Sequence, residues 1–320
     1  NDGWQQELYP TYDPLKLPLR LVKDKKGNAV VCNVNINGRV VYFQAWAIHV
    51  GRVRVYLLDS NLPQNDDRSK EITAHVYGGD QTTRIAQEIV LGIGGVRLLR
   101  ALGVNPSVFH MNEGHSAFLT LELLREQIQV KKSLEKAEAF VKQHCVFTTH
   151  TPVPAGHDRF SRDLINIAFH KYAESFGITI DQLMGYGRIR PTDVNETFCM
   201  TVLALKMSRD ANGVSELHGK TSVEMWKELF PNWKAMPSDR QGNEDPIGAI
   251  TNGVHINGWA SPTASRFYTR ELGTKWHERM RDAKYWKKAI ESKKISDEEL
   301  WAMRTMLRRE LVEFARRRLR

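Results

Sequence analysis

The sequence predicts an α/β protein, with a parallel sheet flanked by helices and an antiparallel β-meander beside it. Three short apolar runs predict buried strands, at residues 107–110, 145–148 and 247–250, and predicted helices separate them. This alternation is typical of βαβ units, whose strands form a parallel sheet. Each run ends in polar residues. Because open α/β sheets bind ligands at the carboxyl ends of their strands, these ends predict one shared site.

The meander precedes the parallel strands. Residues 30–36 alternate apolar and polar side chains, Asn37–Gly38 is a strong signal for a tight turn, and a second apolar run follows at 40–46. A turn at Gly51 leads to a third strand at residues 53–58. Strands joined by turns this short predict antiparallel pairing.

A long helix is predicted over residues 82–102, with a glycine-rich run inside it. Gly92-Ile93-Gly94-Gly95 does not fit a dinucleotide-binding fingerprint, because Arg97 takes the third glycine position and no strand directly precedes the run. The glycines instead predict close packing of the backbone against another element.

The remaining elements follow from helical periodicity and from start and stop signals. Helices are predicted at 69–76, 116–127, 133–143 and 163–175, from 181, at 198–207 (ending near Asn212–Gly213), at 222–230 and at 259–269, and regular structure resumes at 214–218. Loops are predicted at 151–157 and 231–245. A long last helix begins with the capping box Ser296–Glu299.

Composition bounds the class of protein. The 320 residues allow one large or two ordinary domains, and 41% hydrophobic with 26% charged residues is ordinary for a soluble globular chain. No apolar run approaches the roughly 20 residues of a membrane span, and no signal peptide opens the chain. Cys32, Cys145 and Cys199 lie in largely apolar contexts and predict buried thiols, hence a reducing compartment and a cytoplasmic protein.

The net charge of +9 could indicate a polyanion as partner. Basic residues concentrate in the last helix, at Arg304, Arg308, Arg309, Arg316, Arg317, Arg318 and Arg320. No nucleic-acid-binding motif accompanies them, so we expect a solvated face or a surface for a missing segment, with neither nucleic acid nor membrane as partner. A polyanion-binding module is the alternative, and salt-sensitive retention on nucleic acid would reveal it.

A metal site is the first chemistry to weigh at the strand ends. It would use His110, Glu113, His115, His150 and His157. The spacing His-x-x-Glu-x-His is not a helical zinc signature, and the turn within it breaks the helical face that such a signature needs. The spacing therefore disfavours a metal.

A nucleophilic serine is the second chemistry. A triad built on Ser116 or Ser215 would require the sharp turn Gly-x-Ser-x-Gly. The run Gly114-His115-Ser116 matches only in part, because Phe118 stands where the second glycine belongs. The sequence therefore disfavours a triad as well.

Binding of a polyhydroxyl ligand is the third. Side chains that match sugar hydroxyls collect near the strand ends, at Asn112, Glu113, His115, Thr149, His150, Asn212 and Asn252. Because buried polar groups must be paired, such a set implies either an internal network or a hydroxyl-rich ligand. The residues alone leave both possibilities open.

Four short segments carry a resemblance to a known family. They are VFHMNEGHSAF at 108–118, FTTHTP at 147–152, NGVSELH at 212–218 and ITNGVH at 250–255. In this order they resemble the α-glucan (glycogen and maltodextrin) phosphorylases, especially the shorter bacterial and archaeal branch. Residues 3–6 and 56–61 fit as well, so the resemblance covers nearly the whole chain.

The resemblance implies phosphorolysis, in which inorganic phosphate cleaves the terminal link of an α-1,4-glucan and releases glucose 1-phosphate. It also implies two Rossmann-like domains facing across a cleft, a glycosyltransferase-B-type fold, with pyridoxal phosphate held by a lysine of the second domain. Residues 1–270 would be the rear part of the first, glucan-binding domain, and residues 271–320 would lead into the second. We expect a homo-oligomer whose partners are α-1,4-glucan and phosphate.

The resemblance also implies roles for single residues. His150 matches the histidine that binds the sugar 6-hydroxyl, with its backbone carbonyl facing the developing charge at the anomeric carbon, and Asn212 matches an asparagine on the same hydroxyl. Glu113 and His115 match an acidic residue and a histidine near the glucosyl pocket. Asp80 lies where the family has an active-site loop. The structural alternatives are a strand-end cap for His150, a helix-end residue for Asn212 and a helix N-terminal charge for Glu113.

The sequence departs from the family's pattern at several points. Thr149, also a candidate for substrate binding, stands where longer members carry asparagine, and Glu113 stands where they carry aspartate. The glycine-rich phosphate-facing loop, the basic phosphate-binding residues and the cofactor lysine are absent from residues 1–320. We therefore expect an internal fragment that alone binds no pyridoxal phosphate and is inactive. A nucleotide-sugar-dependent glycosyltransferase and a non-catalytic glucan-binding remnant are the alternatives.

Overall fold

The computed structural model describes residues 9–76, 79–130, 132–231, 245–292 and 295–319. The chain divides into two compact units, Asn1–Thr251 and Asn252–Arg320. None of the described helices combines the length and apolarity that crossing a membrane requires. The motif at residues 3–6 and nearly all of the predicted loop at 231–245 lie outside the described residues. The predicted division at residue 270 concerns domains of a longer protein and stays a prediction.

The predicted meander is confirmed, with one short strand added. Asn37 and Gly38 both have positive φ, as the predicted tight turn requires. Val34, Val41 and Phe43 point inward and are buried. The strands of this antiparallel sheet are β1 (Arg20–Leu21), β2 (Val31–Ile36), β3 (Arg39–Val50) and β4 (Val53–Asp59), and β3 pairs with the other three.

The predicted long helix contains a π-helical turn at its glycines. It consists of α2 (Gln81–Ile89), the turn Val90–Gly94 and α3 (Gly95–Ala101). A Cβ on Gly92 would lie 2.8 Å from the backbone nitrogen of Leu119, which confirms the predicted close packing. The preceding helix α1 (Asp67–Lys70), followed by a 3-10 turn, ends earlier than predicted.

The parallel sheet contains four strands in the order β10–β9–β6–β5. They are β5 (Phe109–Asn112), β6 (Cys145–Thr149), β9 (Asp210–Gly213) and β10 (Gly248–Ala249). The helices α4 (Leu119–Gln129) and α5 (Leu134–His144) connect β5 to β6, and α9 (Glu216–Met225) connects β9 to β10. The predicted α/β class with a parallel sheet and a meander is therefore confirmed.

Strand β9 corrects the sequence interpretation. Residues 210–213 were expected to follow the end of a helix, but they form an inner strand between β6 and β10. The run Asp-Ala-Asn-Gly has little intrinsic preference for a strand, so the pairing on both sides outweighs local propensity. The first parallel strand also lies two residues later than predicted, at Phe109–Asn112.

The other elements complete the two units. In the first unit they are β7 (Arg159–Phe160), α6 (Arg162–Phe176), α7 (Ile180–Gly187), β8 (Phe198–Cys199) and α8 (Met200–Lys206). In the second they are α10 (Ile256–Trp259), α11 (Pro262–Leu272), α12 (Ala283–Glu291) and α13 (Asp297–Arg318). The capping box predicted for the last helix is present at Ser296 and Glu299.

The core of the first unit lies where the sheets meet the helices. Phe118, at the end of the first family-like segment, packs on Phe169 with ring centroids 4.6 Å apart and also meets Phe160 and Phe198. Burying these rings removes a large apolar area from water. This packing holds the turn after β5, and hence the strand ends, on a rigid base.

Candidate functional site

The carboxyl ends of three parallel strands are linked by side chains. Asn112, Thr148 and Asn212 are register partners on β5, β6 and β9. His110 Nε2 lies 2.8 Å from Thr148 Oγ1, and the Thr148 hydroxyl donates to Asn212 Oδ1 at 2.9 Å. The Asn212 amide donates to the Gly213 carbonyl at 3.1 Å. The predicted meeting of separate strand ends is therefore present, but Asn212 already takes part in an internal network.

Glu113 holds the chain that follows β6. Its carboxylate accepts from the backbone N–H of His150 at 2.7 Å and from the Thr151 hydroxyl at 2.9 Å, with Thr149 Oγ1 at 3.4 Å. It also accepts from the Gly114 N–H at 3.2 Å. The side chain is buried, so these donors replace the water it has lost. Glu113 is thus a clamp on residues 149–151 and not merely a charge at a helix N-terminus.

The backbone of Glu113 is strained. Its φ is +65° and its ψ is 169°, a region that is essentially restricted to glycine. Such strain persists only where surrounding contacts determine the conformation, and here the four contacts of the carboxylate do so. The conformation turns the chain sharply after β5 and aims the Glu113 side chain at β6.

His150 combines a fixed backbone with an exposed side chain. Its N–H is bound by the Glu113 carboxylate, whereas its imidazole lies at the surface beyond β6. Thr149, only 1% exposed, faces Glu113. The side chain of His150 is therefore accessible from solvent, whereas that of Thr149 is not.

His115 belongs to a cluster of four charged residues. Its Nδ1 lies 2.6 Å from Arg84 Nη2 and 3.2 Å from Asp158 Oδ2. Arg84 also pairs with Asp158, at 3.1 Å. Glu88, 1% exposed, has its Oε1 3.4 Å from Arg84 Nε and 3.7 Å from His115 Nδ1. The cluster ties α2 to the turn after β5 and to the loop after β6.

The cluster shifts the pKa values of its members in opposite directions. Burial raises the pKa of Glu88 to about 8. The contact with Asp158, followed by that with Glu88, raises the pKa of His115 to about 9. Burial would raise the pKa of Asp158, but hydrogen bonds with His115 and Arg84 outweigh it and hold that pKa well below its usual range. At neutral pH these shifts favour an ionised Asp158 and a protonated Glu88.

The five residues that were weighed and disfavoured as a metal site do not form one group. Among the described residues, the one grouping with suitable ligand atoms is Glu88, His115 and Asp158, whose ligand atoms lie within 4.8 Å of one another. The guanidinium of Arg84 contacts all three and supplies the positive charge that a metal ion would bring. His157 lies elsewhere, with its Nδ1 2.8 Å from Thr201 Oγ1 and its ring against Trp226.

Two further candidates cap helices. Asp80 is the N-cap of α2, where its carboxylate accepts from the Thr83 N–H at 2.8 Å, and this contact lowers its pKa. Ser215 is the N-cap of α9 and accepts from the His218 N–H at 3.1 Å. Ser116 lies in a 3-10 turn, Gly114–Ser116, after β5. The serines therefore have structural positions that their surroundings explain.

Sequence reasoning missed Thr148, Arg84, Glu88 and Asp158. Thr148 stands one residue before Thr149 at a strand end, so its position was a usable signal. Arg84 and Glu88 are four residues apart, the spacing of an ion pair on one helical face. Nothing in the sequence indicates that Asp158, 43 residues beyond His115, would complete the cluster.

The chain is similar to known proteins over its whole length. The chain is 36% identical to the maltodextrin phosphorylase of Thermococcus litoralis over 319 aligned residues. This alignment covers all of the chain and 36% of the relative. The chain is 39% identical to the glycogen phosphorylase of Mycobacterium tuberculosis over 332 residues, covering 37% of it, and 31% identical to that of Aquifex aeolicus, covering 44%.

The chain thus spans less than half the length of these relatives. A family model described as carbohydrate phosphorylase matches residues 104–320, which include the three linked strand ends, Glu113 and the charged residues His115 and Asp158. The resemblance drawn from the four short segments is confirmed, and the chain belongs to the carbohydrate phosphorylase family.

Proposed function

We propose that the intact protein transfers a glucosyl unit by phosphorolysis of an α-1,4-glucan, with phosphate as the second substrate, and that this chain supplies part of the glucosyl-binding cleft. The linked strand ends support this proposal, because His150 and Asn212 belong to neighbouring strand ends of one parallel sheet. The names of the relatives, maltodextrin and glycogen phosphorylase, support the substrate class.

In this proposal His150 binds the 6-hydroxyl of the sugar through its imidazole and directs its backbone carbonyl at the anomeric carbon. A carbonyl oxygen near a developing positive charge stabilises the transition state more than the ground state. Asn212 binds the same hydroxyl. Its Oδ1 accepts one hydrogen bond, from Thr148, and a carbonyl oxygen has a second lone pair for a sugar hydroxyl.

The other candidate residues are proposed to support or flank His150 and Asn212. Glu113 is a positioning residue, because it holds the His150 N–H, and Thr149 supports Glu113. His115 lies in the charged cluster at the base of the turn after β5, close enough in sequence to Glu113 to face the same sugar. Asp80, exposed at the start of α2, is proposed to approach the substrate from that helix.

The likeness to the family implies pyridoxal phosphate as a cofactor of the intact protein. Lys206, the half-buried lysine at the end of α8, donates to the carbonyls of Gly185 and Arg188. We propose that a lysine of the second domain in the intact protein holds the cofactor. When bound, the cofactor's phosphate would supply acid–base chemistry to the substrate phosphate.

Location and assembly complete the proposal. All three cysteines are free, and Cys145 and Cys199 are buried, which supports a cytoplasmic protein. A homo-oligomer is proposed, and sedimentation of the intact protein tests it.

The contact between Glu113 and the His150 N–H is the observation that carries the proposed role of His150. In the intact protein, His150→Ala removes the imidazole but keeps the backbone carbonyl, and it should lower kcat about 100-fold or more, with only a few-fold change in KM for maltoheptaose, because the hydrogen bond of the imidazole to the 6-hydroxyl is proposed to strengthen at the transition state. Initial rates of glucose 1-phosphate release measure both constants, and His170→Ala, an exposed histidine on α6, is the matched control.

Equal losses in kcat and in glucan affinity would overturn the role of His150. Transfer from a sugar nucleotide, with no turnover in phosphate, would overturn phosphorolysis itself and favour the glycosyltransferase alternative.

A further inference from the structure

A cavity on the helical side of the first unit is the feature that the proposed function does not use. It lies between α5, α7, the segment that follows α7 and the end of α8, and its volume is about 840 Å³. This volume falls within the usual range for small-molecule sites, roughly 300–1,000 Å³. None of its lining residues belongs to the linked strand ends or to the charged cluster of His115.

The walls of the cavity are largely apolar. They include Leu134 on α5, Ile178 and Tyr186 near α7, Pro191, and the buried Met207 after α8. The Tyr186 hydroxyl donates to Glu138, so that carboxylate is already engaged at the wall. The apolar part of a small molecule would therefore lose water where it contacts these walls.

One buried cation in this lining lacks a full set of partners. Arg188 is 1% exposed, and its Nε donates to the backbone carbonyl of Glu196 at 2.9 Å. Its Nη2 is buried with no hydrogen-bond partner. An unpaired guanidinium N–H inside a protein is costly, so an acceptor brought by a ligand would gain a charge-assisted hydrogen bond.

The neighbouring charges favour an anionic acceptor. Lys206, which also lines the cavity, donates to two backbone carbonyls and brings a second positive charge to the inner wall. The Asp181 carboxylate is paired with Arg162 at 2.8 Å, and the Glu196 carboxylate is bound by the Ile189 N–H. The buried Arg188 and the half-buried Lys206 thus line the cavity, while the Asp181 and Glu196 carboxylates are already bound. The exposed residues Glu135 and Lys142 also line it, and their charges offset each other.

We propose that this cavity is a binding site for a small amphipathic anion, with a flat apolar body and a single carboxylate that pairs with Arg188. The proposal does not depend on phosphorolysis.

The test measures binding of indole-3-propionate to the intact protein by calorimetry, with tryptamine as the cation on the same ring. Saturable binding of the carboxylate is expected, and tryptamine should bind at least 10-fold more weakly. Val194→Trp, at a position 69% exposed on the cavity rim, should weaken binding of the carboxylate at least 10-fold. Ile167→Trp, at an exposed position on α6 outside the lining, is the matched control and should leave it unchanged.

Three results would overturn the proposal. They are the absence of saturable binding, equal affinity for the two probes, and equal affinity of the Val194→Trp and Ile167→Trp variants for the carboxylate. Displacement of the probe by maltopentaose would place it at the proposed glucosyl site instead and would also overturn the proposal.

Discussion

Glu113 combines a backbone conformation that favours glycine with a side chain that the structure needs. Its backbone takes a conformation that suits glycine, yet its side chain must supply acceptors for the His150 N–H and the Thr151 hydroxyl. The strain of such a conformation is about 1–3 kcal/mol. It is tolerated here because the carboxylate serves donors that would otherwise be buried without a partner.

Substitutions at Glu113 can separate these two effects. Glu113→Ala should destabilise the protein by about 1–3 kcal/mol or more, because it leaves donors unpaired and keeps the strain. Glu113→Gly leaves the same donors unpaired but relieves the strain, so it should be more stable than the alanine variant by about 1 kcal/mol. Urea unfolding measures the free energies of unfolding.

The matched control for this pair is Glu174, exposed within α6. There alanine should be more stable than glycine, by about 1 kcal/mol, because glycine is a poor helix former. The same order at both sites would mean that Glu113 carries no backbone strain.

The charged cluster makes stability depend on pH in a predictable direction. Glu88 has a pKa raised from 4.5 to about 8, so its contribution is fully present below pH 4.5 and is lost as the pH rises through 8. His115, raised from 6.5 to about 9, acts in the same direction above pH 6.5. Asp158 acts in the opposite sense, but only in acid. The free energy of unfolding should therefore fall between pH 5 and pH 9.

Glu88→Gln tests this interpretation. The amide cannot ionise, so the fall in stability between pH 5 and pH 9 should shrink by at least about 1 kcal/mol. Denaturant unfolding at pH 5, 7 and 9 measures it, with Glu174→Gln as the exposed control. Parallel pH profiles for wild type and Glu88→Gln would show that Glu88 is ionised throughout.

The sequence predicted which strand ends are polar but not how their side chains are engaged. The sequence placed Glu113 and His150 after two predicted strands, and a hydrogen bond joins them. It placed Asn212 near the end of a helix, whereas Asn212 lies on the unpredicted strand β9. The bond between Thr148 and Asn212 depends on register between strands that are 64 residues apart, which no local pattern reports. The burial of Glu88 likewise arises from tertiary packing.

At the scale of elements, the sequence predicted helices and strands correctly where the hydrophobic pattern and the turn or capping residues indicated the same element. The alternation in β2 and β3 and the Asn37–Gly38 turn predicted the meander, and the capping box predicted the start of α13. Strand β9 was missed because its four residues carry no apolar run. Its neighbours β6 and β10 supply the pairing that its own sequence does not favour.

The π-helical turn between α2 and α3 makes a prediction at this scale. Gly92→Ala would bring a Cβ to 2.8 Å from the Leu119 nitrogen and 3.0 Å from the Ser116 carbonyl, so it should cost about 1–3 kcal/mol or more. Gly95→Ala, three residues on, meets no atom within 4 Å and should stabilise the helix by up to about 1 kcal/mol. Thermal unfolding of both variants measures the difference. Equal effects of the two substitutions on stability would mean that the π-helical turn does not pack closely against the segment before α4.

At the scale of the molecule, contacts within the first unit alone hold the polar residues at the carboxyl ends of the parallel strands. The helices α4 and α5 and the Phe118 cluster support β5 and β6 from behind, so the Glu113 clamp rests on a packed core. The relatives are more than twice as long as this chain.

The central claim is that His150 and Asn212 bind one hexose. A crystal structure of the intact protein with maltopentaose and phosphate tests this directly. The account predicts a glucosyl residue at the carboxyl ends of β6 and β9, with its 6-hydroxyl within hydrogen-bond distance of both side chains. A sugar bound elsewhere, with the His150 imidazole and the Asn212 amide contacting only protein and water, would contradict it.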